Sequence, residues 1–158
     1  MDIRKYKPSD LAAVIKLFHD TVHRINIRDY SQEQISVWAP ETVDTAAWGR
    51  SLTEHHTLIA LEGDKVIGFG DIDRNGYLDR LYVHHEYQGQ GVASALCRKL
   101  EAAVQTAEII THASITAKPF FEKRGYKTER EQSVVRNGVE LTNYVMILHK
   151  FDYIATSR

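Results

Sequence analysis

The apolar positions in the first part of the chain recur at helical spacing. Leu11, Val14, Phe18 and Val22 follow one another at steps of three and four residues. Such a stripe is typical of an amphipathic helix with one buried face. A short alternating segment over residues 3–6 precedes it and predicts a strand. The chain is therefore expected to begin with a strand followed by a helix.

Two shorter helices are predicted next, because each has a start signal of its own. Ser31 and Gln34 have the spacing of a capping box, in which the side chain of each residue accepts the backbone N–H of the other. Pro40 ends the helix that this box opens. Asp44 can cap the next helix, so three helices are expected before the chain turns to strands.

The rest of the chain changes to strand patterning that is interrupted by two helices. Runs rich in β-branched and aromatic residues, bounded by turns such as Asn75-Gly76 and Asn137-Gly138, predict strands and hairpins. The predicted strands are residues 57–61, 66–72, 77–83, 109–115, 126–135 and 139–148. Helical stripes begin at Gly91 and near residue 116. The resulting order, β-α-α-α-β-β-β-α-β-α-β-β, predicts an α/β protein with a mixed sheet.

The loop between the third of these strands and the first of these helices is a candidate anion site. Gly89 and Gly91 have no Cβ, so a phosphate could approach the main chain. The first N–H groups of a helix also lack partners within it and carry partial positive charge. A tight turn without a ligand explains the same spacing. No P-loop is present, and Ser94 stands where the dinucleotide fingerprint needs its third glycine.

Gln88, Gly91 and Ala93 match the Q/R-x-x-G-x-G/A motif with which the GNAT superfamily of N-acetyltransferases binds acetyl-CoA. The chain resembles that superfamily over essentially its whole length. The resemblance implies an α/β GNAT (acyl-CoA N-acyltransferase) fold, a mixed and mostly antiparallel central sheet flanked by helices. It also implies acetyl-CoA as co-substrate. The residues implied in cofactor binding are Leu81, Tyr82, Val83, Gln88, Gly89, Gln90, Gly91, Val92, Ala93, Ser94 and Phe120.

A second part of the resemblance lies in residues 113–126. Ala117, Phe120 and Gly125 fit the family's motif N-x-x-A-x-x-F-Y-x-x-x-G-F. The sequence of this segment looks closest to the YafP-like branch of uncharacterised bacterial acetyltransferases. Phe121, however, replaces the tyrosine that protonates the leaving CoA thiolate in many relatives. Phenylalanine has no proton to give, so another donor, water or a slow reaction must be considered. Tyr144 is the candidate for the missing acid.

The resemblance also suggests residues for the acceptor side. Asp79 stands where many relatives carry an acidic residue that faces the cleft, and apolar neighbours would raise its pKa, which suits a base. A structural salt bridge, for example to Arg80, is the alternative. The oxyanion donor is expected at the backbone N–H of Tyr82 or Val83, where the family's central strand bulges. The acceptor-binding candidates are His23, Tyr30, Asp71 and Tyr82.

Composition narrows the class of protein. The 158 residues suit one domain over residues 1–158, and 43% hydrophobic content suits a proper core. A net charge of −1 indicates neither a nucleic-acid nor a membrane partner. The apparent lack of a signal segment and the lone Cys97 favour the reducing cytoplasm. No His/Cys cluster has zinc spacing, so we expect no metal. Dimers are common among relatives, which leaves a homodimer open.

These observations leave three functions to compare. The first is transfer of an acetyl group from acetyl-CoA to a primary amine of a small molecule or peptide, by direct attack in a ternary complex, because no activated nucleophile is evident. The second is a catalytically weak CoA-binding sensor or structural module, which Phe121 keeps open. The third is a nucleotide-binding domain, which the missing Lys-Ser/Thr pair argues against.

Overall fold

The computed structural model describes residues 1–150, which form one seven-stranded sheet with helices on both faces. The strands are β1 (Asp2–Lys5), β2 (His56–Glu62), β3 (Lys65–Ile72), β4 (Tyr77–Val83), β5 (Glu108–Ser114), β6 (Lys127–Arg136) and β7 (Val139–His149). The α-helices are α1 (Leu11–Arg24), α2 (Gln32–Trp38), α3 (Thr45–Glu54), α4 (Val92–Ala102) and α5 (Lys118–Lys123). This order of strands and helices confirms the predicted one, and the α/β class with a mixed sheet is confirmed as well.

The start signals of the early helices act as predicted. The Ser31 hydroxyl accepts the Gln34 N–H at 3.2 Å, and the Gln34 side chain accepts the Ser31 N–H at 2.9 Å. The Asp44 carboxylate accepts the Ala47 N–H at the start of α3. Within residues 1–150, no helix has the length and hydropathy needed to span a membrane.

The sheet opens in its middle. The strand order is β1-β2-β3-β4-β5-β7-β6, and every pairing is antiparallel except that of β4 with β5. The parallel pair consists only of Tyr77 with Ile110 and Leu78 with Thr111. Beyond Leu78 the two strands continue without pairing to each other. The unpaired halves of β4 and β5 therefore form the two sides of a cleft.

A β-bulge lies on β4 at the point where this cleft begins. Asp71 pairs with Arg80, but the next residue of β3, Ile72, pairs with Leu78. Asp79 is therefore the extra residue on the bulged strand. A bulge bends the strand and changes the direction of the side chain that it carries. Residues 80–83 pair with β3 in regular register, so the bulge is at Asp79 and not at the predicted Tyr82 or Val83.

Two hydrophobic cores hold the helices to the sheet. One core, with Leu96 and Leu100, lies under α4 and α5, and the other, with Phe18 and Phe69, lies under α1 to α3. Gly70 on β3 faces α4, where an added Cβ would lie 2.9 Å from a Leu100 methyl group. Such a distance is shorter than normal packing contacts, so glycine at this position lets α4 pack close to the sheet. Close packing of α4 fixes where its N-terminus meets the cleft.

Candidate active site

Two cavities meet at the open part of the sheet. The first, which we call the cleft, has a volume of about 440 Å³ and lies between β4, β5 and the start of α4. The second, the side cavity, has a volume of about 510 Å³ and lies between α2, α3, β4, β6 and β7. The residues that line both are Trp38, Asp79, Tyr82, His112 and Ser114. A ligand in one cavity would therefore reach a ligand in the other at Asp79.

Nearly all residues predicted to bind the cofactor line the cleft. They are Leu81, Tyr82, Val83, Gln88, Gly89, Gly91, Val92, Ala93, Ser94 and Phe120. Gln90 is the exception. Its side chain is exposed and lies 3.3 Å from the Glu86 carbonyl, outside the cleft. The structure therefore brings the predicted loop and strand together, with Gln90 facing outward.

The start of α4 has the properties of an anion site. Gly89 and Gly91 have φ angles of +71° and +82°, a conformation that side chains disfavour, and a Cβ on either would meet no atom within 4 Å. In the described part of the chain, the N–H groups of residues 89–94 have no hydrogen-bond acceptor. Free amides at a helix N-terminus attract negative charge. The geometry fits a phosphate group held by the main chain.

The backbone of β4 presents alternate groups to the cleft. The His84 N–H donates to the Ile67 carbonyl at 2.8 Å, and this bond sets the alternation of the antiparallel ladder. The Tyr82 N–H then faces β3, and the Val83 N–H faces the cleft. Of the two predicted oxyanion donors, only Val83 has its N–H on the cleft side.

The Val83 carbonyl is already bonded within the protein. It accepts the Thr21 hydroxyl at 3.2 Å and the Gln88 side-chain amide at 2.7 Å. Gln88 therefore holds the loop against the end of β4 with its side chain. A ligand in the cleft would find the Val83 N–H free and its carbonyl occupied.

Asp79 lies beside a buried ion cluster. Its carboxylate, 30% exposed, is 3.8 Å from the Arg80 guanidinium. Arg80 is bonded more closely to Asp71, whose carboxylate is fully buried, and the His55 Nδ1 lies 2.9 Å from the same oxygen. Burial raises the pKa of Asp79, and the charge of Asp71 raises it further, against the opposing effects of Arg80 and His55. The predicted direction of the Asp79 pKa agrees with this environment.

The prediction that Asp71 binds the acceptor is wrong. Asp71 lines neither cavity, and its bonded carboxylate oxygen is taken by Arg80 and His55. The hydrogen bond to Asp71 also raises the pKa of His55, with burial opposing it. Asp71 therefore acts as the buried anion that positions Arg80, three residues before the end of β4.

We expect Arg80→Gln to lower the free energy of unfolding by about 3–5 kcal/mol, because it leaves the buried Asp71 carboxylate without its cation. Urea unfolding measures this loss. The double variant Asp71→Asn/Arg80→Gln removes the charge as well and should recover most of the stability. A single variant as stable as the double one would contradict the role given to Asp71.

Two further predicted site residues lie outside the site. The His23 Nε2 is 2.7 Å from the Ala39 carbonyl, and the ring stacks on His19, away from both cavities. Tyr144 donates its hydroxyl to Glu131 at 3.1 Å. Its neighbour Asn143 lines the side cavity, and since strand residues alternate in direction, Tyr144 faces the opposite side of the sheet. Neither residue reaches Asp79, so we no longer assign them a role in the reaction.

Tyr30 lines the side cavity, but its hydroxyl is used by the fold. The hydroxyl donates to the Thr142 carbonyl at 2.7 Å and accepts the Ile115 N–H at 2.9 Å. These bonds join the loop before α2 to the ends of β5 and β7. Tyr30 therefore shapes the cavity wall with its ring and cannot offer a free hydroxyl.

We expect Tyr30→Phe to lower the free energy of unfolding by about 1–3 kcal/mol, because two partly buried backbone groups lose their partner. Tyr144→Phe is the matched control, since its hydroxyl bonds only to the exposed Glu131. The control should change stability by less than about 0.5 kcal/mol. Equal losses for the two variants in urea unfolding would refute the structural role of Tyr30.

His112 is a site residue that the sequence did not single out. It lies on β5, borders both cavities and contacts the Tyr77 ring at 5.1 Å between centroids. Burial lowers its pKa, the charge of Arg130 lowers it further, and Asp79 opposes both. The sequence shows His112 only as a lone histidine on a predicted strand. The separation of β4 from β5 is what places His112 opposite Asp79.

Two groups in the described residues have metal-ligating atoms within 4.8 Å of one another. They are His84, His85 and Glu86, and His55, Asp71 and Asp79. In the first group the His84 Nδ1 already accepts the Glu86 N–H at 3.0 Å, and in the second Asp71 is paired with Arg80. Their geometry is explained without an ion, and the absence of a metal stays a prediction.

Comparisons with known proteins agree with this geometry. The family model described as "Acetyltransferase (GNAT) domain" matches residues 26–148. The chain is 37% identical over 147 residues to the uncharacterized N-acetyltransferase YafP of Escherichia coli K12, covering 92% of this chain and 94% of that protein. Both matches cover most of the chain.

Solved structures give the same result. A GCN5-related N-acetyltransferase from Rhodopseudomonas palustris, described as an aminotransferase of class II, superposes with a TM-score of 0.88 at 32% identity, over 94% of each chain. PaiA N-acetyltransferase from Thermoplasma acidophilum, solved in complex with coenzyme A, superposes with a TM-score of 0.75 at 20% identity, over 94% of this chain and 98% of that one. The predicted fold is thus confirmed, and the chain belongs to the GNAT family of N-acetyltransferases.

Proposed function

We propose that this protein transfers the acetyl group of acetyl-CoA to a primary amine of a small molecule or peptide, with both substrates bound at once. The observation that carries the proposal is the continuous path from the free amides at the start of α4 to Asp79, where the side cavity opens. The PaiA relative was solved with coenzyme A, and a Salmonella typhimurium YncA of 20% identity and TM-score 0.69 with acetyl-CoA. Both support acetyl-CoA as the ligand of the cleft.

The residues of the cleft fit the two ends of that substrate. The free N–H groups of residues 89–94 would hold the diphosphate, since they offer several donors at a helix N-terminus. The Val83 N–H, on the cleft side of β4, would donate to the thioester oxygen as negative charge develops there. Binding of both ends by the main chain orients the acetyl group towards the junction of the cavities.

Asp79 is the proposed base. An alkyl ammonium has no lone pair, so the acceptor must lose a proton before it attacks. The Asp79 carboxylate borders both cavities, and its raised pKa makes it a better proton acceptor than an exposed aspartate. Because the pKa of His112 is lowered, its ring stays neutral near neutral pH. A neutral imidazole can accept a proton, so His112 is the alternative candidate for the base.

The leaving thiolate takes its proton from water in this proposal. Phe121 lines the cleft where relatives carry a tyrosine, and its ring packs on Phe120 and Tyr126. A neutral His112 is a poor acid, so it does not replace that tyrosine. CoA thiolate is a good leaving group, and losing one general acid costs about 10²–10⁴-fold without abolishing turnover.

A catalytically weak CoA-binding sensor is the second candidate function, and Phe121 is the observation that favours it. Release of free CoA thiol from acetyl-CoA across a panel of primary amines separates the two functions. A rise in melting temperature with acetyl-CoA but not with ATP tests binding, because a ligand of the native state raises apparent stability. Stabilisation without thiol release from any amine would favour the sensor, and no stabilisation would refute both.

The compartment follows from the same proposal. The chain has one cysteine, Cys97, which lies on the buried face of α4. Burial raises its pKa to about 12, so the thiol stays protonated and has no part in acetyl transfer. A buried free thiol suits reducing conditions, and we expect the reaction to take place in the cytoplasm.

A further inference from the structure

The side cavity contains a cation that no carboxylate neutralises. Arg136, the last residue of β6, lines this cavity, and no carboxylate of residues 1–150 lies within 4 Å of its guanidinium. Its charge reaches Tyr82 in the cavity wall. Burial raises the pKa of the Tyr82 phenol, while contact with Trp38 and the charges of Arg80 and Arg136 oppose that rise. Arg136 is thus an exposed residue of the edge strand β6 that also lines the side cavity.

The other charges around this cavity are engaged more closely than Asp79, whose nearest cation, Arg80, lies 3.8 Å away. Arg80 is bonded to the buried Asp71, and its guanidinium lies 4.6 Å from the centre of the Trp48 ring. Asp44 uses its carboxylate to cap α3. The side cavity thus offers a ligand one open anion, Asp79, and one open cation, Arg136.

An unpaired acceptor lies between elements of the same wall. The Oδ1 atom of Asn143, on β7, is buried and has no hydrogen-bond partner in the described part of the chain. A buried polar atom without a partner costs about 1–3 kcal/mol, which a ligand donor can recover. A primary ammonium has three N–H donors, so one can bond to Asp79 and another to this oxygen. The apolar part of the wall comprises Val37, Trp38, Val134 and Leu141.

We propose that the acceptor is a free amino acid with an apolar side chain. Its ammonium would face Asp79 and Asn143, its carboxylate would face Arg136, and its side chain would lie against the apolar wall. An arginine fork matches a carboxylate with two parallel hydrogen bonds, and a simple amine leaves that fork unused. The inference rests on the proposed function and specifies its substrate class.

The transfer balances for such an acceptor. The amine nitrogen bonds to the acetyl carbon as the carbon–sulfur bond breaks. The ammonium loses two protons in all. One passes to solvent by way of Asp79, and the other ends on the CoA thiol by way of water. Arg136 takes no part in these steps and acts by positioning the carboxylate.

The test compares amino acids with the corresponding amino alcohols. L-phenylalanine and L-leucine are matched with L-phenylalaninol and L-leucinol, which keep the amine and side chain but replace the carboxylate. We expect kcat/KM to be about 10-fold to 100-fold higher for the amino acids, since a charged hydrogen-bonded pair contributes on that scale. Arg136→Gln should raise KM for the amino acids towards the value for the alcohols, so that this preference disappears. Lys127→Gln, an exposed cation on the same strand but outside both cavities, should leave this preference unchanged.

Each outcome decides the inference. Alcohols transferred as well as amino acids, with no effect of Arg136→Gln, would overturn the amino-acid acceptor and leave the N-acetyltransferase proposal intact. Stabilisation by acetyl-CoA without transfer to any amine would refute the proposed function instead. In that case calorimetric binding of L-phenylalanine in the presence of CoA tests the subsite alone: binding lost in Arg136→Gln supports it, and no binding or equal binding overturns it.

Discussion

Gly91→Glu is expected to weaken acetyl-CoA binding by about 100-fold or more, which corresponds to about 2.7 kcal/mol. Gly91 is the N-cap of α4 and lies among amides that have no acceptor. A glutamate here would bring a negative charge to the site proposed for the diphosphate and could satisfy the amides itself. Calorimetry with acetyl-CoA measures the loss.

Two controls separate charge from strain in this experiment. Gly91→Gln has nearly the same size and the same left-handed backbone but no charge, so it should weaken binding clearly less. Gly138, in the turn between β6 and β7, has a φ of +78° and no atom within 4 Å of an added Cβ. Gly138→Glu therefore carries similar strain and charge far from the cleft and should leave affinity unchanged. Unchanged affinity in Gly91→Glu would remove the loop from the proposed site.

Asp79→Asn is expected to lower kcat by about 10²–10⁴-fold at pH values above the pKa of Asp79. The wild-type base works only when ionised, that is, above its pKa, which burial holds above the ordinary aspartate value. The ratio of wild-type to variant rates should therefore fall towards one as the pH drops through that pKa. Taking the ratio cancels the titration of the acceptor amine. The pH–rate profiles of the two proteins measure this ratio of rates.

The folding of the variant provides an internal check. A raised pKa means that the folded state disfavours the charged form of Asp79, so ionisation reduces stability above the unfolded pKa and protonation relieves this at low pH. Asparagine is neutral, and Asp79→Asn should be as stable as the wild type or more stable at neutral pH. A rate loss would then reflect chemistry and not unfolding.

His112→Gln distinguishes the two candidate bases. His112 borders the same junction of the cavities, and its lowered pKa keeps it neutral at working pH. With Asp79 as the base, His112→Gln should leave the pH dependence of the rate in place. A pH-dependent ratio that persists in Asp79→Asn and disappears in His112→Gln would transfer the role to the histidine.

The failures among the predicted site residues have a common physical cause. His23, Asp71 and Tyr144 were chosen by their type and by their region of the chain, and each proved to be bonded within the protein. Whether a polar side chain is free depends on the partners that distant elements bring to it. Tyr144 finds Glu131 on β6, and Asp71 finds Arg80 across a hairpin, contacts that no local pattern contains.

Local sequence signals predict the helices, the strands and the glycine-bearing loop before α4. Capping residues, the change of period and glycines with positive φ act within a few residues, so Ser31, Asp44 and Gly91 could be assigned before any contact was known. Contacts between elements determine which side chains face the proposed reaction. The short parallel pairing of β4 with β5 opens the cleft, and the bulge turns Asp79 to its junction with the side cavity. Both features are relations between strands and not properties of one segment, and so His112 and Arg136 could join the site only through folding.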